Sequence, residues 1–152
     1  MIKTKQHKFS LALPATFLWI GFVSAISFME AWLKFRAPGV TLPIGLSIGT
    51  LVFGALNKVE WTLAILILLD IFLFTKQYRT KTTALLCVVT LILIIQTLWL
   101  LPALSARVAL YEQAIEVAHS PVHFYYISSE IIKVVCLFII GIRFLKLHGR
   151  IA

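Results

Sequence analysis

Two carboxylates and one lysine, Glu60, Glu130 and Lys133, are set inside long apolar runs, and Ser24 and Gln96 interrupt two further runs. Polar groups kept in hydrocarbon face the bundle interior, pair with one another or line a watered cavity, because a lipid-facing position costs too much. Such a set can bind a small solute or relay protons. With Glu130 as general base and Lys133 holding an anion, it can also act on a lipid, quinone or bound cofactor. Asn57 and Glu60 are i,i+3 neighbours on one helix face, as are Glu130 and Lys133. Tyr126 and Cys136 extend the second of these faces. A purely structural arrangement is the alternative, with Glu130 and Lys133 neutralising each other and Glu60 reaching the outer interface beside Trp61.

The elements that must position these residues are long and apolar. The chain has 152 residues, 61% hydrophobic and 13% charged, with mean hydropathy +0.98. Soluble domains carry about 25% charged residues, so the expected class is an integral membrane protein. Its fold is expected to be all-α, one four-helix bundle over 1–152 with helices near 9–36, 42–75, 82–102 and 121–147. Each run meets the roughly 20 residues needed to cross a hydrocarbon core of about 30 Å. Since 42–75 exceeds one upright span, residues 42–56 are read as an interfacial amphipathic segment before the second helix, with a re-entrant segment or the protruding end of a long tilted helix as alternatives. The third helix is expected to close at Leu101-Pro102, with a helical outer connector from Ala103 to His119. Ser120 and Pro121 then open the fourth as N-cap and N1. Counting inward ends as Phe9, Thr75, Thr82 and Leu147, Ser24, Glu60, Gln96 and Lys133 all lie about 21 to 23 Å up and Glu130 about 25 Å.

Cations set the orientation. Lys3, Lys5, Lys8, Lys76, Arg79, Lys81, Arg143, Lys146 and Arg150 fall on the side of the termini, against Lys34, Arg36, Lys58 and Arg107 on the other. The positive-inside rule then places both termini in the cytoplasm and the chain in the inner (plasma) membrane. The net charge of +8 reflects this topology and attraction to anionic lipid. Nucleic acid is excluded as a partner, since no soluble basic face exists.

Other constellations are weaker. Glu116 and His119 have the Glu-x-x-His spacing of di-iron bundles, but those need two such motifs and two further glutamates. His119 and His123 resemble an i,i+4 ligand pair separated by Ser120-Pro121, which breaks the helix. Neither metal nor cofactor is therefore expected. Glu30, Arg36, Arg107 and His123 are assigned to an outer rim of the polar layer, with Glu30 and Lys34 as an i,i+4 ion pair. Asp70 is expected to face the inner interface or a basic residue such as Lys76 or Arg79. Cys87 and Cys136 differ too much in depth to form a disulfide. Gly45, Gly49 and Gly54 allow close helix contact and are candidate contacts in a homo-oligomer.

Phe35-Arg36-Ala37-Pro38 at the end of the first helix, the glycine-rich segment before the second, Thr97-Leu98-Trp99-Leu100-Leu101-Pro102, and Phe124 followed by Ser128-Ser129 together resemble the transmembrane protein 205-like family, also known as domain of unknown function 4149. The resemblance covers most of the chain. It implies a four-helix membrane protein, linked in some members with export of or resistance to toxic compounds. Members commonly carry a histidine early in the last helix, where this chain has Tyr125 or Tyr126. Three readings follow: a small transporter or channel-like protein, an intramembrane enzyme or redox protein, and a structural or assembly factor.

Overall fold

The computed structural model describes residues 10–74, 80–113, 115 and 120–148. Over these the chain is helical, in four antiparallel rods. Helix α1 is Ala12–Arg36, α2 is Leu42–Phe74, α3 runs unbroken through Thr80–Ile95, Gln96–Leu100 and Leu101–Glu112, and α4 is Val122–His148. Three of them, over Ala12–Arg36, Leu42–Phe72 and Lys81–Glu112, are long and apolar enough to cross a membrane.

Their outward faces carry large exposed apolar side chains, including Leu51, Phe72, Leu98, Ile131, Val135 and Ile139. A helix apolar on its outside as well as its inside suits lipid better than water. The interior is sorted by level. Ala12, Ala15, Leu63, Ile67, Val89, Leu93, Leu137, Ile140 and Phe144 fill the half of the core nearest Ser10 and Asp70. Polar residues gather above them.

Two boundaries differ from the sequence reading. Residues 42–56 are not a separate interfacial segment but the first half of α2. Pro43 sits in the first turn, where its missing N–H costs nothing, and no breaker follows it. At about 1.5 Å per residue, the 33 residues of α2 span about 50 Å, so the helix must tilt or protrude from a bilayer. Helix α3 likewise continues past Pro102 to Glu112 instead of yielding to a connector. A π-helical turn at Gln96–Leu100 directly precedes the proline and takes up the distortion that its ring and lost donor impose. Across that turn α3 changes neighbours, its first half packing on α4 and its last half on α2.

Glycines also act differently from the expectation. A Cβ at Gly45 would overlap the Phe35 ring, and one at Gly49 would lie 2.8 Å from Lys34 Nζ. These two positions accept the end of α1 within the same chain, while Gly54 has nothing within 4 Å. Between α1 and α2 the chain turns at Gly39, whose φ of 82° is left-handed and suits glycine. Lys3, Lys5, Lys8, Lys76, Arg79 and Arg150, which carry much of the charge asymmetry, and Glu116 and His119, which carry the Glu-x-x-His spacing, lie outside the described residues.

Asp70 is not paired with a basic residue among the described ones. Its Oδ2 accepts from Ser10 Oγ at 2.7 Å and its Oδ1 from the Leu11 backbone N–H at 3.1 Å. A carboxylate from α2 thus caps the start of α1, where orphan N–H groups and the positive end of the helix dipole need an acceptor. Asp70→Ala is expected to cost about 0.5–2 kcal/mol. Thermal unfolding in detergent should show a lower midpoint for Asp70→Ala and a largely restored one for Asp70→Asn.

Candidate functional site

At the centre of the bundle lies the ammonium of Lys133, fully buried on α4. It reaches three acceptors: Glu60 Oε1 on α2 at 2.5 Å, Gln96 Oε1 on α3 at 2.6 Å and Glu130 Oε1 on its own helix at 3.1 Å. An ammonium has three donors, so each one is used. Trp19 on α1 donates its indole N–H to Glu60 Oε1 at 2.8 Å. All four helices therefore meet at one cluster, and Trp19, Glu60, Gln96, Glu130 and Lys133 are each at most 1% exposed.

Gln96 is fully committed. While its carbonyl accepts from Lys133, its amide N–H groups donate to Ser129 Oγ at 2.8 Å and Glu130 Oε1 at 2.9 Å. The lysine fixes this amide orientation, since the reverse would point N–H groups at the ammonium. Ser129 in turn donates to the Tyr126 carbonyl at 2.7 Å.

A second polar clasp joins α2 to α3 beside the first. Asn57 Nδ2 and Trp61 Nε1 both donate to Thr97 Oγ1, at 3.0 and 2.9 Å, and Thr97 donates onward to the Leu93 carbonyl at 2.7 Å. Asn57 is thus adjacent to the charged cluster without joining it. Ser24 is half-buried and makes no side-chain hydrogen bond among the described residues, so α1 contributes Trp19 instead. Ser27, one turn along, is the buried serine of α1. Both serines belong to a π-helical stretch, Ser24–Glu30, whose i→i+5 bonding rotates the facing residue away from where a regular count puts it.

The cluster is unbalanced. Two carboxylates face one ammonium, and Glu130 Oε2 and Ser27 Oγ are buried with no hydrogen-bond partner among the described residues. The Tyr126 hydroxyl neighbours both Glu130 and Ser27, and its ring packs on Phe53 with centroids 5.1 Å apart. Phe53 lines a cavity of about 500 Å³ at the end of the bundle away from Ser10 and Asp70, so two aromatic rings separate that cavity from the carboxylates. On the opposite side the apolar core closes the cluster off.

The expected rim residues divide. Arg107 and His123 line this cavity. Glu30 holds Lys34 at 3.2 Å, and Arg36 lies over the Trp32 ring at 4.7 Å, outside the cavity lining. Cys87 is exposed and Cys136 buried, both as free thiols.

No family model, curated protein or solved structure matches this chain.

Trp19, Thr97 and Ser129 are the contributors that counting charged residues does not reveal. Tryptophan and threonine pass as apolar or interfacial in such runs, although each carries a polar handle that seeks a partner once buried. Removing one partner from a buried charge cluster is worse than removing the cluster. Lys133→Met alone is expected to destabilise by about 3–5 kcal/mol, because the buried cluster would lose its one positive charge. Adding Glu60→Gln and Glu130→Gln should recover most of that loss, a non-additivity that denaturation in mixed micelles would measure.

Proposed function

We propose that this chain is a small multi-pass transporter of the inner membrane, with α4 as a fourth span, whose charged layer holds and exchanges a proton. The observation that carries the reading is the charge count. Two carboxylates against one ammonium leave a net negative charge in a fully buried site, and such a charge costs several kcal/mol unless it is compensated. One proton on either Glu60 or Glu130 removes the cost with no added volume. Glu130 Oε2, unpartnered in the buried cluster, is the natural atom to carry it.

Exchange toward the outer side would run past Tyr126, which neighbours Glu130 and packs on the Phe53 ring that lines the cavity. Losing the proton restores the negative charge, and a small cationic solute or a second proton then becomes the favoured occupant. That alternation is the minimum a coupled carrier needs. Four helices enclose little space, so the pathway is proposed to be completed by a second copy of the chain. Positive charge near the termini supports cytoplasmic ends.

A structural reading is favoured by a different observation, the use of every helix in one hydrogen-bonded cluster. Polar clusters of this sort can fix helix register without transporting anything. Reconstituted vesicles loaded with a pH-sensitive dye separate the two. With an imposed pH gradient, wild-type protein should dissipate it, and Glu130→Gln should slow dissipation by about tenfold or more, equivalent to roughly 1.4 kcal/mol on the barrier. Undiminished flux in Glu130→Gln, with the protein folded in the membrane, would rule the transport reading out.

A further inference from the structure

Several hydroxyls on these helices close a bond to their own backbone. Thr16, Thr97 and Ser105 each donate to the carbonyl four residues back, at 2.7, 2.7 and 2.9 Å, and so need no other acceptor. Ser27 does not: it is only 7% exposed, and its Oγ has no hydrogen-bond partner among the described residues. It sits inside the π-helical stretch Ser24–Glu30, where i→i+5 bonding displaces the carbonyl that a regular helix would offer. Burying a hydroxyl without a partner costs free energy, so a serine kept in this position calls for one.

The Tyr126 hydroxyl neighbours both Ser27 and Glu130, and Glu130 Oε2 likewise has no partner among the described residues. Lys133 and Gln96 both donate to the other oxygen of that carboxylate, Oε1, at 3.1 and 2.9 Å, so Oε2 is unused. Three oxygens, one carboxylate and two hydroxyl, therefore stand together on α1 and α4. The titratable groups around them are Glu60 on α2 and Lys133 and Tyr126 on α4, while α3 presents Gln96 and α1 presents Ser27 and Trp19. With both glutamates ionised and Lys133 charged, the group carries one net negative charge.

From this juxtaposition we infer that Glu130 Oε2, Ser27 Oγ and the Tyr126 hydroxyl hold a small alkali cation, sodium or lithium, in exchange with the proton of Glu130. Carboxylate and hydroxyl oxygens are hard ligands that suit hard cations. One positive charge balances the cluster, whereas a divalent ion would leave it buried with a net positive charge. Backbone carbonyls of irregular helix turns complete cation sites in membrane carriers, and Ser27 lies in such a turn. A hydroxyl turns either a lone pair to a cation or its O–H to a carboxylate, so the same oxygens serve the cation-loaded and the empty form. A proton needs the carboxylate alone, and Ser27 is what a cation adds to the requirement. The inference rests on the charge count behind the proposed proton exchange, and it names the cation with which the proton trades.

Equilibrium binding of radioactive sodium to the full chain, purified in a neutral maltoside detergent at alkaline pH, tests the inference. Saturable binding is expected, displaced by lithium and not by an equal concentration of potassium or choline. Lowering the pH should weaken it, approaching about tenfold per pH unit once the proton is the dominant occupant. Ser27→Ala and Tyr126→Phe should each weaken sodium about tenfold, and Glu130→Gln should abolish its binding. Thermal unfolding in choline chloride, expected near wild type for both Ser27→Ala and Tyr126→Phe, separates a lost ligand from a lost fold. Absence of saturable sodium binding by the wild type, equal displacement by potassium, or wild-type affinity in both folded variants overturns the inference. The pH-gradient assay is read separately. Proton flux through a protein that binds no sodium leaves the transport reading standing and overturns this inference alone, whereas pH-dependent sodium binding without proton flux supports the cation site and overturns the transport reading.

Discussion

The ammonium of Lys133 has three donors and is fully buried, and the arrangement of the four helices answers the demand for acceptors. Acceptors come from α2, α3 and α4, while α1 is tied to the same carboxylate through Trp19. In a bilayer, apolar contact between helices gains little over contact with lipid tails, so polar contacts have a larger share in choosing which faces meet. Buried ion clusters are poor sources of net stability, because desolvating the charges offsets their attraction. Retaining three charges at the centre therefore points to specificity or function more than to strength.

Backbone irregularity collects at the same level. The π-helical stretch of α1 begins at Ser24 and that of α3 at Gln96, both beside the charged cluster. Such widened turns are frequent at functional sites, since they re-aim side chains that a regular helix would point elsewhere. In α3 the turn also shifts the helix from α4 to α2. The consequence is an asymmetric interior: the side near Asp70 is closed by packed aliphatic residues, whereas the far side opens into a cavity behind the Phe53–Tyr126 pair.

The helical class and the depth of the polar residues were legible because both follow from one-dimensional quantities. Hydropathy marks the long runs, and a rise of about 1.5 Å per residue converts position into height. That arithmetic placed Glu60, Gln96 and Lys133 at one level, and they do meet. It carries no information about azimuth. Ser24 shared the level but not the facing direction, because a π-helical stretch begins there. Pro102 read as an end since its ring is costly inside a regular helix, and nothing in the sequence announced the wide turn that accommodates it. Gly45 and Gly49 signalled close approach correctly in kind, yet what approaches is the end of α1. Asp70 needed a partner, and the nearest basic residues in sequence drew attention from a helix start sixty residues away.

What distinguishes a proton-holding layer from an ionic clasp is the number of protonated carboxyl groups in the folded protein. Infrared spectroscopy of the purified chain in lipid at neutral pH counts them directly, through the carbonyl stretch of an un-ionised carboxylic acid. One such band per chain is expected, lost or displaced in Glu130→Gln and Glu60→Gln and unchanged in Glu112→Gln, whose carboxylate is exposed. Absence of the band from the wild-type protein would contradict the charge balance on which the proposed function rests.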